Sequence, residues 1–333
     1  MTLEEEITIL SEELTLTNLD STLLRLFQLL KQNLSPQEFS EITDPKKDSE
    51  RGRKLMLKRY GPVSALIEEI YKTLSISRTM SDRYNAPKEK LDIEKAVILI
   101  GGEGTRLRPI TYILPKPLIP IHGRTLTEHV MDIVKRYGIQ NVVLAVGYGK
   151  DLVKKYFNNG LGTEIHLSYT EERKPSGTAG TLYIMDRPAK PFLMINGDNL
   201  FDLDIQKMYD FLREKNALAV IALTPVENPS RGGAVNLEGE KIRQFWEKLS
   251  GEQARQKIGE PPYWLNSGYY LLSPEIFDNL PKQREITMME DHVFPALAKT
   301  GRLFGFKSRG QWHDSGTIIR YEDVVRNWRG IYS

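Results

Sequence analysis

The chain has 333 residues, ample for a sizeable core plus an extra module, since domains commonly run to about 100–200 residues. Apolar residues make up 40% and charged residues 27%, a globular balance, and 46 Lys and Arg against 44 Asp and Glu leave a formal charge of +2, which gives no reason to expect nucleic acid or an anionic membrane as partner. Cysteine is absent, which excludes disulfides, thiolate nucleophiles and cysteine zinc sites and suits a reducing compartment.

The opening residues MTLEEEITIL are acidic where a signal peptide is basic. No apolar run approaches the roughly 20 residues that span a bilayer, so a cytoplasmic location is expected. Residues 1–90 read as an all-helical extension. Leu3, Ile7, Leu10 and Leu14, then Leu19, Leu23, Leu26, Phe27 and Leu30, recur at helical spacing. Asp20 or Ser21 is the expected N-cap of the second run, and Ser35-Pro36 its end. Residues 45–49 look like a turn. A further helical run carries Leu55, Leu57, Val63, Leu66, Ile67, Ile70 and Leu74, divided at Gly61-Pro62, and the polar stretch 80–90 reads as a linker.

At Ala96 the pattern changes abruptly. The apolar run 96–100 has strand length, and strands and helices then alternate. Helices are expected at 125–137, 151–157, 178–185 and 205–215. Strands are expected at 141–146, 164–169, 192–196 and 217–223. Such alternation predicts an α/β domain over 91–333, built on a Rossmann-like mixed, mainly parallel sheet flanked by helices. From about residue 225 to 306 the strands shorten and glycine and proline rise, which suggests a smaller lobe.

The strand at 96–100 runs into Gly101-Gly-Glu-Gly-Thr-Arg-Leu-Arg-Pro109. Glycines let backbone N–H groups approach a phosphate chain closely and form an anion-binding concavity. A P-loop needs Gly-Lys-Ser/Thr after its spacer, and none is present. The dinucleotide fingerprint needs a third glycine where Leu107 stands. What is left is a glycine loop carrying Arg106, whose fork of donors suits charged phosphate oxygens. On the same connection Leu114-Pro-Lys-Pro-Leu118 places Lys116 between two prolines, which is expected to hold it in an extended segment of fixed direction.

The two motifs together resemble the sugar-1-phosphate nucleotidylyltransferases, whose members carry a Gly-Gly-x-Gly-Thr-Arg-Leu-x-Pro loop followed by Pro-Lys-Pro. The resemblance covers about residues 95–327 and implies a nucleotide-diphospho-sugar transferase type of fold. It places Gly101, Gly102, Gly104 and Thr105 against the nucleotide, with Arg106 and Lys116 on the reacting phosphates. In EERKPSGTAG, which ends at Gly180, Gly177 and Thr178 would meet base and ribose, and Gly180 falls on the sugar-phosphate side. Asn196-Gly-Asp198 supplies a catalytic, magnesium-binding Asp198, and Trp312-His-Asp-Ser-Gly316 a second ligand, Asp314. Gln244-Phe-Trp-Glu-Lys248 would bring Glu247 and Lys248 to the sugar phosphate, and Asn266-Ser-Gly-Tyr-Tyr270 would bring Asn266.

The implied reaction joins an NTP to a sugar 1-phosphate and releases pyrophosphate, with Mg²⁺ as cofactor. Gly177-Thr-Ala-Gly180 and Ser230-Arg-Gly-Gly233 lean toward GTP with a mannose- or heptose-type 1-phosphate; thymidylyl or uridylyl transfer to glucose 1-phosphate stays open. A sugar phosphate has a second pKa of about 6 and is already nucleophilic, so no histidine or serine base is needed. Two anions must instead be brought together by a cation, arginine and lysine.

Other readings compete. Asp202-Leu-Asp204 spells the Asp-x-Asp of metal-dependent glycosyltransferases, but it precedes a predicted helix and reads better as its cap. His313-Asp314 suggests a phosphohydrolase pair, though the chain has only five histidines. The basic run Arg51, Arg53, Lys54, Lys58 and Arg59 reads as a solvated helix face rather than a nucleic-acid surface. A catalytically silent, sugar-nucleotide-binding regulatory subunit is the rival of another class. For the extension the expectations are oligomerisation into a homo-oligomer, regulation or partner docking.

Overall fold

The structure is a computed structural model that describes residues 2–78, 91–158, 160, 165–171 and 176–331. The expected linker at 80–90 and residues 172–175 of the second glycine segment lie outside the described residues.

Five helices come first: α1 (Leu3–Glu12), α2 (Leu19–Asn33), α3 (Pro36–Thr43), α4 (Ser49–Arg59) and α5 (Gly61–Arg78). Asn18, not Asp20 or Ser21, stands at the N-cap of α2. Asp20 is buried instead, and its carboxylate accepts the His122 N–H at 2.8 Å. Ser35 ends one helix and also starts another. Its hydroxyl accepts the Glu38 N–H at 3.3 Å while Glu38 accepts the Ser35 N–H at 3.1 Å, a capping box behind which Pro36 fits the first helical position. On α2, Leu19, Leu23, Leu26 and Leu30 form one apolar stripe, and on α5 Val63, Leu66, Ile67, Ile70 and Leu74 form another. All are buried. These stripes belong to one hydrophobic cluster with Ile98, Leu118, Ile121 and Tyr321 of the following part, so the helices are packed onto it.

The second part continues with β1 (Ala96–Leu99), the hairpin β2 (Pro120–Ile121) and β3 (Arg124–Thr125), α6 (Leu126–Arg136), β4 (Asn141–Val146), α7 (Lys150–Phe157) and β5 (His166–Glu171). Then come α8 (Gly180–Ile184), β6 (Phe192–Asn196), β7 (Asn199–Phe201), α9 (Ile205–Glu214), β8 (Ala219–Val226), β9 (Gly233–Glu238), β10 (Lys241–Glu247) and α10 (Gly251–Lys257). The chain closes with β11 (Tyr263–Leu272), α11 (Phe294–Lys299), β12 (Leu303–Lys307), β13 (Trp312–Asp314) and α12 (Ile318–Asn327). No described helix is long and apolar enough to cross a membrane.

Among the described residues the main sheet has nine strands in the order β5-β4-β1-β6-β11-β8-β12-β10-β9. Strands β5, β4, β1 and β6 are parallel, and β12 is parallel to β8. The other pairings are antiparallel and gather around β9, β10 and β11. The segment expected as a smaller lobe contributes β9 to β12 to the same sheet. Alternate residues feed opposite faces: Ile98, Leu193 and Ile195 join the cluster that includes the N-terminal helices, while Val97, Phe192 and Met194 join the one beneath α11. Burial on both faces explains the continuous apolar runs of β1 and β6. A separate short ladder pairs β13 with β7 and sets Asp314 opposite Asn199.

Candidate active site

The C-terminal ends of β1, β4 and β6 open into one cavity of about 440 Å³, the place where a parallel sheet offers its ligand site. Leu99 sits opposite Ala145 of β4 and Asn196 of β6, so the loops after all three strands start at one level. From the connection after β1 come Gly101, Gly102, Gly104, Thr105, Arg106 and Lys116, Asp198 follows β6, and Gly177 and Thr178 enter the lining from the stretch between β5 and α8. Gly104 has φ +64°, and a Cβ there would lie 3.0 Å from the Lys116 Cβ. Gly177 has φ +85°, and a Cβ would lie 2.4 Å from the Thr287 carbonyl oxygen. Both positions demand glycine on conformational and steric grounds.

Lys116 opens a short 3₁₀ turn, Lys116–Leu118, rather than continuing the extended path of Pro115. The Ile119 N–H closes that turn on the Lys116 carbonyl at 3.1 Å, a bond that an extended segment lacks. The Pro117 carbonyl accepts the Thr127 hydroxyl at 3.0 Å, which anchors the turn that carries Lys116. Its ammonium meets the Asp198 carboxylate at 2.6 Å, with 12% and 36% of the two side chains exposed. Burial pushes the Asp198 carboxyl up, but the charge and hydrogen bond of Lys116, helped by Arg106, outweigh it and hold the group below its ordinary value of 3.8.

Asp314 is carried to the same end of the sheet by the β13–β7 ladder. The Ser315 N–H and hydroxyl both donate to the Asp198 carbonyl, at 3.0 and 2.9 Å. The Asp314 carboxylate accepts the Gly316 N–H at 2.6 Å and pairs with the Arg320 guanidinium. A Cβ on Gly316 would stand 2.7 Å from an Asp314 oxygen and 2.9 Å from an Arg106 nitrogen, so those two side-chain ends converge on this glycine and would have to shift to admit a larger residue. Arg320 had no motif to announce it.

Among the described residues no three His, Cys, Asp or Glu side chains gather into a metal cage. The donors present are carboxylate oxygens of Asp198 in the cavity and Asp314 beside it. Asn196 adds a buried Oδ1 with no hydrogen-bond partner. An all-oxygen set this small suits a hard divalent cation that takes its remaining ligands from substrate phosphates and water.

Behind the wall a polar chain leads away. The Thr178 hydroxyl donates to Glu290 at 2.9 Å, the Tyr270 hydroxyl donates to the other Glu290 oxygen at 3.2 Å, and the Asn266 amide donates to Tyr270 at 2.9 Å. Burial, with Asp291 adding to it, raises the Glu290 carboxyl above its ordinary value despite these bonds. Glu290 occupies a π-helical turn, Met289–Val293, a local widening that often marks functional sites. No motif announced Glu290, and only the fold brings it to Thr178. Asn266 thus joins the network from outside the cavity lining. Gly180 starts α8 and donates its N–H to the Gly177 carbonyl at 2.9 Å, next to Thr181, which lines the cavity and whose buried hydroxyl has no hydrogen-bond partner. Lys248 is exposed, with φ 52° and its N–H on the Gly232 carbonyl at 3.3 Å. The Glu247 side chain lies outside the described residues. Asp204, from the Asp-x-Asp, caps α9 by accepting the Lys207 N–H at 3.0 Å, and Asp202 pairs with Arg136.

The family model for nucleotidyl transferases matches residues 95–329. The catalytic subunit beta of mannose-1-phosphate guanylyltransferase from Xenopus tropicalis is 34% identical over 231 residues, covering 67% of this chain and 61% of that protein. A mannose-1-phosphate guanylyltransferase from Mycobacterium tuberculosis is 31% identical, covering 69% of this chain and 62% of its own length. This chain therefore spans about three fifths of the curated relatives it matches. Two solved structures share the fold: HddC from Yersinia pseudotuberculosis complexed with GMP-PN, at TM-score 0.58 and 22% identity over 70% of this chain and 99% of that one, and a UDP-glucose pyrophosphorylase from Acinetobacter baumanii, at TM-score 0.59 and 20% identity over 70% and 92%. With the glycine loop, Lys116 and Asp198 gathered at the strand ends that this match covers, the chain belongs to the nucleotidyl transferase family.

Proposed function

We propose that this chain transfers a nucleotidyl group from an NTP, with GTP preferred, to a mannose- or heptose-type 1-phosphate, yielding an NDP-sugar and pyrophosphate with Mg²⁺ as cofactor. The observation that carries this reading is the Lys116–Asp198 pair at 2.6 Å in a cavity walled by the glycine loop and Arg106. The guanylyltransferase names of the relatives support the choice of base and sugar. An NTP-consuming synthesis of this kind fits the cytoplasm.

An oxygen of the sugar phosphate attacks the α-phosphorus, and the bond from that phosphorus to the bridging oxygen breaks, so the electron pair leaves on pyrophosphate. Both partners are anions, and the barrier is chiefly their repulsion and alignment. Arg106 offsets charge on the transferred group, and Lys116 holds phosphate oxygens. A metal ion held by Asp198 and Asp314 supplies further charge neutralisation when bound. No general base is required, because the attacking oxygen is ionised near neutral pH. Asn266, Gly180, Glu247 and Lys248 are proposed for the sugar-phosphate side.

Pyrophosphate release should be measured for GTP, dTTP, UTP, CTP and ATP against mannose, glucose and heptose 1-phosphates. The GTP row is expected to respond, and Asp198→Asn to lower its turnover by about a hundredfold or more. Turnover in the dTTP or UTP row with glucose 1-phosphate would move the assignment to that branch. Silence throughout, with nucleotide still bound, would make the chain a binding subunit.

A further inference from the structure

Arg108 ends the glycine loop, yet it turns away from the cavity. Its side chain is 1% exposed. One guanidinium nitrogen donates to two carbonyls, of Asp44 at 2.6 Å and of Lys47 at 2.7 Å. The other donates to the Ser49 hydroxyl at 2.7 Å and to Glu103 at 3.2 Å. Ser49 in turn donates to Glu103 at 2.7 Å, and the Tyr112 ring centroid lies 4.7 Å from the guanidinium carbon. Asp44 and Lys47 belong to the turn from α3 into α4, and Ser49 is the first residue of α4. One buried cation therefore ties two points of the glycine loop, Glu103 and Arg108, to the N-terminal helices.

A buried guanidinium without partners is costly, and it is tolerated here because its donors meet oxygens. Two backbone carbonyls converge on one nitrogen while a hydroxyl and a carboxylate take the other, a pattern that suits arginine's planar fork and not lysine's point charge. Between the two anchored residues lie Gly104, Thr105 and Arg106, all facing the cavity. A loop with three glycines in its first four residues loses much freedom when it sets its N–H groups for an anion. Tying it from outside removes part of that loss before the ligand arrives.

We propose that Arg108 is a positioning residue for nucleotide binding, through which the 44–49 turn holds the glycine loop in its binding conformation. This rests on the proposed function in taking that loop to bind the NTP. The helical layer is then part of the nucleotide site.

The test compares full-length wild type, Arg108→Gln and Ser49→Ala by equilibrium binding of GTP with Mg²⁺ and by steady-state pyrophosphate release. Loss of charged hydrogen bonds at this tie is expected to raise the Kd and KM for GTP about tenfold or more in Arg108→Gln. Ser49→Ala should shift both the same way by about threefold. The KM for the sugar phosphate should stay within about twofold of wild type. A purely structural role would lower the active fraction and kcat and leave both KM values alone. That result, an equal rise in both KM values, or an unchanged GTP Kd would overturn the proposal. If Arg108→Gln does not fold, Ser49→Ala decides, and an unshifted Kd there overturns it. Wild type that binds GTP without turnover sinks only the transferase reading, and the Kd comparison still tests the tie. Wild type that binds no NTP overturns both.

Discussion

Two acids around this cavity are shifted in opposite directions, and each shift has its own pH signature. Asp198 is held below its ordinary value of 3.8 because Lys116 and Arg106 outweigh its burial. Its lowered folded value means the Lys116 pair stabilises the protein above 3.8 and is lost as pH falls through that lower value. Through neutral pH Asp198 is therefore anionic, and it supplies no acid limb to turnover there. Glu290 is raised above 4.5, by burial first. A raised acid favours the folded state below its unfolded value, and that advantage is lost as pH climbs through the folded value. Glu290→Gln removes the charge that burial disfavours. Its melting temperature, relative to wild type, is expected to rise more at about pH 8 than at about pH 5. A pH series of thermal melts checks this, and a pH-independent offset would count against the assignment.

At the level of elements, α4 meets the glycine loop's underside, and one glycine permits the approach. A Cβ at Gly52 would lie 2.2 Å from two carbons of the Tyr112 ring. That ring is 2% exposed and sits under the Arg108 guanidinium, so it has little room to turn. Helix propensity alone favours alanine over glycine by about 1 kcal/mol. Overpacking a filled core costs about 1–3 kcal/mol, which is the larger effect. Gly52→Ala is therefore expected to destabilise the protein in urea unfolding despite the better helix former. From sequence, Gly52 offered no hint of this, since its neighbour lies sixty residues on.

Helices α2 and α5 were legible because burial of one face imposes a helical spacing of apolar residues, and β6 because burial on both faces imposes a short continuous apolar run. That the cavity's glycines, Lys116 and Asp198 line one cavity agrees with motifs legible in the sequence, and the phosphate chemistry proposed for them is of a kind that restricts residue type. Ser35-Pro36 was legible as the end of the second run, but a terminating serine-proline and a capping serine look alike, and only Glu38 reveals that Ser35 also starts α3. Arg108 and Glu290 stayed hidden because most of their partners are backbone carbonyls or distant side chains. Arg320 stayed hidden because its pairing with Asp314, six residues earlier, depends on the turn between β13 and α12 and not on a helical or strand spacing.

Across the whole molecule the question is whether residues 2–78 fold with the remainder or apart from it. Their apolar stripes are already covered: α2 lies on β2 and α12, α5 on β3, and α4 on the 3₁₀ turn Ile110–Tyr112. Polar ties reinforce the seam, among them Asp20 with the His122 N–H and Arg108 with the 44–49 turn. A continuous core of this kind unfolds as one unit, because exposing either side exposes the other. Leu26 is 0% exposed on α2, and its truncation to alanine is expected to cost about 2–5 kcal/mol. If the unit is single, that loss must lower the one transition that nucleotide raises. Bound GTP at about a hundred times its Kd adds about 2.7 kcal/mol to everything that unfolds with the site. Far-ultraviolet circular dichroism melts of wild type and Leu26→Ala, with and without GTP, should each show one transition. It should move down with the substitution and up with the nucleotide. An earlier helical transition, lowered by Leu26→Ala but indifferent to GTP, would show that the helices fold apart and that the core they share with the sheet does not couple them.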